Sequence, residues 1–459
     1  MTLSAARSRT LAALLALIAA CGGGSRGPAP GAPPGPQAAG TEQTLADLFN
    51  LPALYQRMGR LAAGSPLPFV GSTAIFAGRG DSTLVFLGLS LDSRALSFQR
   101  TERQFAARYR VEITLTRDGA PPLRFARDEV VQVATYPETQ RADEAVVFQQ
   151  ALLLAPGSYR MAVVVRDAGS TSSSRAEAPL EVPAFPAGSF SAPALVYASN
   201  PRANLWSEPD LVLNPRGLVA HGGDSLRIVV EGYGLTGPVQ LPFQIRDEQD
   251  RVLVDRDLEF TGGRAVETRT IVLSPDLPSL GRINVRIGTG AAMQQSVALV
   301  SFSRSWVVTN YDNLLTLLRF LPTDGWLDRL AKADPAERPT LWRQFWVETD
   351  PRPATPENEL LDLYFTRVAI ANDRFRDEGV GQGWRSERGE VFIALGPPDQ
   401  EYESPPGTDQ RIVQWVYNDW RAVLTFTGTM GFSRVRLTPA SRSEFARLRA
   451  LARQQLLNP

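Results

Sequence analysis

Cysteine, histidine and lysine are almost missing from this 459-residue chain, which has one of each: Cys21, His221 and Lys332. One cysteine excludes an intrachain disulfide and a structural zinc site built from several thiolates. One histidine excludes the HExxH pair and the three-histidine catalytic zinc site. The 48 basic residues balance 48 acidic ones. The arginines are scattered along the chain, so the concentrated basic face of a nucleic-acid protein is absent and no nucleic-acid partner is expected. There is no GxxxxGK[ST] loop, and Gly288-Thr289-Gly290 lacks the third glycine and following helix of a dinucleotide fingerprint. The one GxSxG match, Gly23 to Gly27, lies in a flexible segment where no strand–turn–helix elbow forms. No metal and no cofactor are expected. What remains is ordinary: 43% apolar and 21% charged residues, typical of a globular protein. At roughly 100–200 residues per domain, the length suits about three domains.

The N-terminus reads as an export signal. Arg7 and Arg9 precede a ten-residue apolar run, Leu11 to Ala20. Such a run suits a signal h-region and falls short of the about twenty residues that span a bilayer. It ends in Ile18-Ala19-Ala20-Cys21, which resembles the bacterial lipobox. That resemblance implies lipidation of Cys21, which becomes the mature N-terminus, and several acyl chains at one residue anchor a protein stably. Gly22 to Gly40 is a Gly/Pro/Ala spacer that cannot build a core, and it reads as a tether. Gly22, in place of an acidic residue after the cysteine, permits outer-membrane sorting under the enterobacterial rule.

A short helix, about Thr44 to Leu61, precedes two β-rich regions. In the first, Tyr109, Val111, Ile113 and Leu115 alternate with polar residues, the period of a half-buried strand. Ala155-Pro156-Gly157-Ser158-Tyr159 then feeds Met161, Val163 and Val165, which suits the corner between late strands of an immunoglobulin-like sandwich. The second region repeats the plan. Leu241, Phe243 and Ile245 alternate into Arg246-Asp247, with Arg256-Asp257 ten residues on, as Arg117-Asp118 and Arg127-Asp128 stand in the first. Gly281 then introduces Ile283, Val285 and Ile287. Two tandem β-sandwiches are expected. Arg79-Gly80-Asp81 reads as a polar turn, and so does His221 in Ala220-His221-Gly222-Gly223.

Composition shifts in the C-terminal third, where seven of the eight tryptophans lie beyond residue 300. Leu314, Leu317, Leu318 and Leu321 follow helical spacing, and Trp342, Phe345 and Trp346 share a helix face expected to be core. Thr355-Pro356-Glu357 reads as a helix start, with Leu360, Tyr364, Val368, Ala371 and Phe375 as the buried stripe. Gly383 to Gly389 is expected to be a tight loop entering a strand, Glu390–Leu395, closed by Gly396-Pro397-Pro398-Asp399. A polar Gln400–Gln410 loop and a strand around Trp415 follow. The tail from Ser441 to Leu457 reads as an amphipathic helix with Phe445, Leu448, Ala452 and Leu456 inward.

These landmarks resemble the GWxTD domain, a module of bacterial exported proteins. They comprise Phe345-Trp346, Asp350-Pro351, Asn358-Glu359, Ala371-Asn372 with Phe375, the stretch from Gly383-Trp384 to Gly396-Pro397-Pro398-Asp399, and Trp415-Val416-Tyr417. The resemblance spans roughly 340–420. Ser386-Glu387 stands where the family has threonine-aspartate; the longer arm would misplace a catalytic carboxylate, which favours a structural or binding loop. The resemblance gives a module and no activity.

The expected architecture is therefore multidomain and mainly β. A lipoprotein signal peptide (1–21) is followed by a flexible linker (22–43) and a short helix (44–65). Two tandem immunoglobulin-like β-sandwiches (66–186 and 187–303) then precede a mixed α/β, GWxTD-like C-terminal domain (304–459). Asn372, Trp384, Ser386, Glu387, Arg388, Asp399, Trp415 and Tyr417 are expected to share a binding surface, with Glu387 and Asp399 the candidates for any catalysis. The expected role is non-catalytic: an envelope protein anchored to the membrane through Cys21, on the outer membrane facing periplasm or surface. Its C-terminal domain would bind a protein or glycan partner. The alternative is a carboxylate-dependent hydrolase of envelope polysaccharide or peptidoglycan, whose two carboxylates would stand about 5–10 Å apart.

Overall fold

The alternation along Tyr109, Val111, Ile113 and Leu115 becomes the strand Phe105–Thr116, with all four side chains buried. The computed structural model describes residues 49–141, 146–223, 225–274, 280–321, 325–355, 358–376, 382–404, 410–429 and 434–457. The export signal with Cys21, the 22–43 linker, residues 44–48 of the expected N-terminal helix, Pro356, Glu357 and the side chain of Leu456 lie outside the described residues. The N-terminal helix runs Leu51–Arg57, capped by the Asn50 side chain. It does not reach Leu61: Gly59, at φ +76°, turns the chain, and Leu61–Ala63 is a strand.

The chain is mainly β, with several antiparallel sheets. Sheet I holds Leu61–Ala63, Phe69–Ala77, Thr83–Leu91 and Val146–Leu154 in that spatial order. Sheet II runs Leu123–Val133, Phe105–Thr116, Gly157–Asp167 and Ser173–Val182, with Gln99–Arg100 also paired to Phe105–Thr116. Phe69, Leu87 and Phe148 of sheet I close one core with Val111, Ile113 and Val163 of sheet II. Sheet III is Asp210–Leu213, Ala194–Asn200, Leu226–Tyr233 and Val266–Leu273. Sheet IV is Val252–Phe260, Val239–Arg246, Gly281–Ile287 and Gln294–Ser301, with Leu218–Ala220 added in parallel. Sheets III and IV share a second core around Ile228, Phe243 and Val285. In both modules, counting the seven principal strands in chain order, one sheet reads 1-2-5 and the other 4-3-6-7.

The repeat lies in this connectivity and not in the Arg-Asp pairs. Arg127 faces Val111, six residues before Arg117, whereas Arg256 faces Phe243, three residues before Arg246. The two hairpins therefore turn at different points. The glycines do correspond: Gly157 (φ +145°) and Gly281 (φ +104°) each start the sixth strand. At the first of these starts the Tyr159 hydroxyl donates to the Ala155 carbonyl at 2.9 Å, the geometry of a tyrosine corner. The outermost strands, Leu123–Val133 and Val252–Phe260, carry Arg127, Asp128 and Glu129, and Asp255, Arg256 and Asp257. Charges there discourage further strand pairing.

Sheet I has both faces covered. Its outer side chains Phe76, Leu84 and Phe86 pack on Val196, Leu211 and Leu213 of sheet III, which explains why every residue of Thr83–Leu91 is buried. At the end of this seam Arg202 and Glu231 pair at 2.7 Å, each side chain only 1% exposed. Arg202 also donates to the Ala77 carbonyl (2.8 Å), and the Tyr233 hydroxyl donates to Glu231 (3.0 Å). Every charge in this knot is met by a partner, which buried charge requires.

The C-terminal domain packs helices Tyr311–Leu318, Trp326–Lys332, Arg338–Thr349, Glu359–Arg374, Glu387–Leu395 and Pro439–Leu457 on a sheet. That sheet is Gln400–Glu403, Gln410–Tyr417, Ala422–Thr429 and Arg436–Leu437. Three sequence expectations change here. Glu390–Leu395 is helical: Ser386 caps the N-terminus, Glu387 and Glu390 occupy the first turn, and Gly396 at φ +87° ends it. A short apolar run cannot by itself be told from a strand, and the cap decides. Gln400–Glu403 is a strand laddered on Val413–Val416 and not a loop. The helix expected at Thr355 starts at Glu359, where the Asn358 side chain accepts from Leu361 N. Among the described residues no helix is long and apolar enough to cross a membrane.

Candidate functional site

The residues expected to share a binding surface are mostly buried. Trp384 and Trp415 are fully enclosed, and Asn372, Ser386, Arg388 and Tyr417 are also buried; only Asp399 is exposed and Glu387 is half-buried. They form a joint between helices. Gly383 lies against the end of Glu359–Arg374 so closely that a Cβ there would stand 2.5 Å from the Ala371 carbonyl oxygen and 2.6 Å from that of Asn372. A Cβ on Gly389 would stand 2.3 Å from the Gly383 carbonyl oxygen. Ser386 closes this contact by donating its hydroxyl to the Gly383 carbonyl (2.7 Å) while accepting from Gly389 N (2.9 Å). Trp384 fills the space beneath, against Phe320, with Arg319 and Arg385 over its ring.

The two candidate carboxylates are committed to this scaffold. Glu387 accepts from Leu437 N at 2.7 Å and from Arg442 at 3.2 Å on each oxygen, which ties the helix start to the last strand and the terminal helix. Asp399 accepts from Asn418 N at 2.6 Å and closes the hairpin. Arg388 lies over the Phe375 ring and pairs with Glu401 at 3.5 Å. The Tyr417 hydroxyl donates to the Gly396 carbonyl (3.1 Å), and burial raises its pKa well above that of a free tyrosine despite Arg367 nearby. Among the described residues, the Asn372 Oδ1, Trp384 Nε1 and Trp415 Nε1 atoms have no hydrogen-bond partner. Nor is any group of three or more His, Cys, Asp or Glu placed to hold a metal ion.

A concave site lies elsewhere. A groove of about 390 Å³ opens where the second β-module meets the helices, and Arg141 of the first module also reaches it. One wall is the turn His221-Gly222-Gly223; Gly222, at φ +71°, would place a Cβ 2.9 Å from the Pro339 carbonyl oxygen, so the turn sits on the start of Arg338–Thr349. That helix supplies Trp342, Arg343, Trp346 and Val347, and Phe302 to Ser305 and Asp362 complete the lining. Phe302 stacks edge-on with both Trp342 (4.8 Å) and His221 (5.5 Å). The Trp342 N–H already donates to the Phe302 carbonyl at 3.0 Å, so this indole offers the groove a ring and no donor. Among the described residues the charged members of the lining are Arg141, Arg304, Arg343 and Asp362. A mostly apolar cleft of this size with a few charged groups is the usual form of a ligand site. Trp342 is enclosed in the core with Trp346 packed partly buried against it, and His221 stands in a turn, as their sequence context predicts, whereas nothing in the sequence marks Arg141, Arg304, Arg343 or Asp362. These residues come from five separate stretches and share no spacing.

The architecture defines a mainly β protein with a mixed α/β C-terminal body that carries a buried Gly-Trp joint. Residues 287–437 match the GWxTD domain, so the match begins inside sheet IV, includes the strand Gln294–Ser301 and most of the groove lining, and stops before the terminal helix. Among curated proteins no relative is found. Among solved structures, similarity is found to the calcium-binding domain CBD12 of CALX1.1 (11% identity, 54% of this chain and 85% of that one, TM-score 0.13). A bacterial adhesin from Mobiluncus mulieris is also similar (11% identity, 47% and 79%, TM-score 0.13). So is a secreted protein of Parabacteroides distasonis (9% identity, 51% and 83%, TM-score 0.11). Scores this low assign neither fold nor function.

Proposed function

We propose that this is an exported bacterial lipoprotein of the cell envelope, anchored through Cys21, whose C-terminal domain has a non-catalytic binding or scaffold role toward an envelope protein or glycan. The observation that carries the non-catalytic reading is the state of Glu387: its carboxylate is taken up by Leu437 N–H and Arg442, at the core of a helix joint. A catalytic carboxylate must face its substrate, and this one holds the fold together. The immunoglobulin-like character of the two β-modules belongs to the same reading, supported by their common strand order and by the tyrosine corner at Tyr159. Such modules suit a spacer that carries a binding domain away from its anchor. The anchor would place the body on the outer membrane, facing periplasm or surface.

Two experiments test this. In-cell crosslinking from intact envelopes should capture the same partner for the native chain and for Glu387→Gln, with no glycan-cleaving activity in either. A cleaving activity abolished by Glu387→Gln, with capture unchanged, would sink the scaffold reading. Cys21→Ser should move the protein from membrane to soluble fractions; continued membrane retention counts against the lipid anchor.

A further inference from the structure

We infer that the outer face of the C-terminal sheet binds a neutral polysaccharide. This rests on the binding reading above and names the chemical class of its ligand. Register fixes which side chains share that face. Val413, Trp415, Leu424 and Phe426 point into the core and are fully enclosed, so their neighbours along the strands point outward. One row holds Gln400, Val416 and Val423, and the next holds Tyr402, Gln414 and Thr425. Ile412 and Thr427 follow in the third. Among the described residues the charged side chain in register with these rows is Arg436, opposite Thr427 on the edge strand. Glu401 and Glu403 alternate to the other side, where they pair with Arg388 (3.5 Å) and Arg411 (2.6 Å).

The chain builds its other solvated β-face differently. On the outer face of sheet II, Arg110 pairs with Asp128 (2.7 Å) and Glu112 (3.3 Å), Arg166 with Glu112 (3.6 Å) and Arg175 with Glu177. Interspersed charge of this kind is usual for exposed surface. The C-terminal face instead offers amides, hydroxyls and one aromatic ring. Its amides and hydroxyls both donate and accept, as sugar hydroxyls do. Tyr402 is 56% exposed, and its hydroxyl donates to Gln400 Oε1 at 2.6 Å, which ties the ring to its neighbour on the same face. Such a ring, with the half-exposed Val423 beyond it, suits the apolar face of a pyranose. An anionic glycan would need guanidinium groups within the face, not one at its edge. Size argues against a second protein. With strands about 4.8 Å apart and same-face residues about 6.8 Å apart, three rows on three strands present roughly 300 Å². A stable protein interface takes about 800 Å² from each partner.

The test runs the full chain in detergent through native gels with entrapped dextran, galactomannan or hydroxyethyl-cellulose. At least one of these should retard it, and polygalacturonate, the anionic counterpart, should leave its mobility unchanged. Tyr402→Ala and Gln414→Ala should each weaken binding to the retarding polymer about five-fold or more, with an unchanged circular dichroism spectrum. Thr114→Ala, on the charged outer face of sheet II, should bind as the native chain does. No retardation by any neutral polymer, equal retardation by polygalacturonate, or indifference to both substitutions overturns the assignment. A dimer in sedimentation equilibrium that Val423→Arg splits would give the face to a second copy and overturns it as well. Failure here leaves the crosslinking capture above standing, whereas failure of the non-catalytic reading appears there, as a cleaving activity lost in Glu387→Gln.

Discussion

Gly383→Ala isolates the claim that the Gly-Trp segment is a packing joint. The added methyl would meet the carbonyl oxygens of Ala371 and Asn372 at 2.5 and 2.6 Å and the carbonyl carbon of Phe375 at 2.6 Å. All three are backbone atoms at the end of a sixteen-residue helix, so no side chain can swing aside. Overpacking of this kind costs about 1–3 kcal/mol, and immovable partners place it near the top of that range. The gain from a stiffer unfolded chain, about 0.4–1 kcal/mol, offsets part of it. A net loss of about 2 kcal/mol should lower the melting temperature of the C-terminal domain by roughly 4–8 °C. The assay is thermal unfolding followed by tryptophan emission, to which the fully buried Trp384 and Trp415 contribute. Gly237→Ala is the control: nothing lies within 4 Å of its Cβ position, so only the unfolded-state gain remains. If Gly383→Ala melts with the control, the joint is not close-packed and the structural account of the motif fails.

Three further outcomes follow from the same geometry. Ser386→Ala should cost about 1 kcal/mol through loss of the helix cap, whereas Ser386→Thr should retain most of it; equal melting of the two would refute the capping role. Glu231→Gln leaves the enclosed Arg202 charge uncompensated and should cost about 3–5 kcal/mol in urea unfolding; a cost under about 1 kcal/mol would show the knot to be solvated. Burial opposes ionisation of Glu267, but Thr261 N–H, Gly262 N–H, the Thr261 hydroxyl and Arg269 outweigh it and hold the pKa at about 2, below its ordinary 4.5. A depressed acid contributes stability above its unfolded pKa and loses it on acidification, so the native protein should weaken as pH falls from 4.5 toward 2, and Glu267→Gln should flatten that slope.

How far the sequence could be read depended on the range of the interactions that decide each element. Tyr109, Val111, Ile113 and Leu115, and Phe243 with Ile245, announce strands because one buried face imposes period two on the chain itself. The terminal helix was legible for the same reason at period 3.6, with Phe445, Leu448 and Ala452 buried as spaced. Val391-Phe392-Ile393 was not legible. Its apolar run is too short to show a period, and its state is set by Ser386 on one side and the Gly396 stop on the other. The buried state of Trp384 and Trp415 likewise follows from packing between segments, which no residue of the motif announces by itself. The groove was beyond reach because no single stretch carries it.

The landmarks of the GWxTD region and the groove nevertheless belong to one mechanical chain. Gly383 and Ser386 lock the start of Glu387–Leu395 onto the far end of Glu359–Arg374. At the near end of that helix Asn358, fully buried, caps Leu361 N with its oxygen. Its amide donates to the Trp346 carbonyl (2.9 Å) and to Thr349 Oγ1 (3.0 Å). Thr349 in turn donates to the Phe345 carbonyl at 2.7 Å. Asn358 thus ties the helix that carries Asp362 to the helix that carries Trp342, Arg343 and Trp346, and sets the spacing of two groove walls. The buried Gly-Trp joint and the Asn358 cap therefore stand at opposite ends of the one helix Glu359–Arg374, and between them they fix its place against the neighbouring helices.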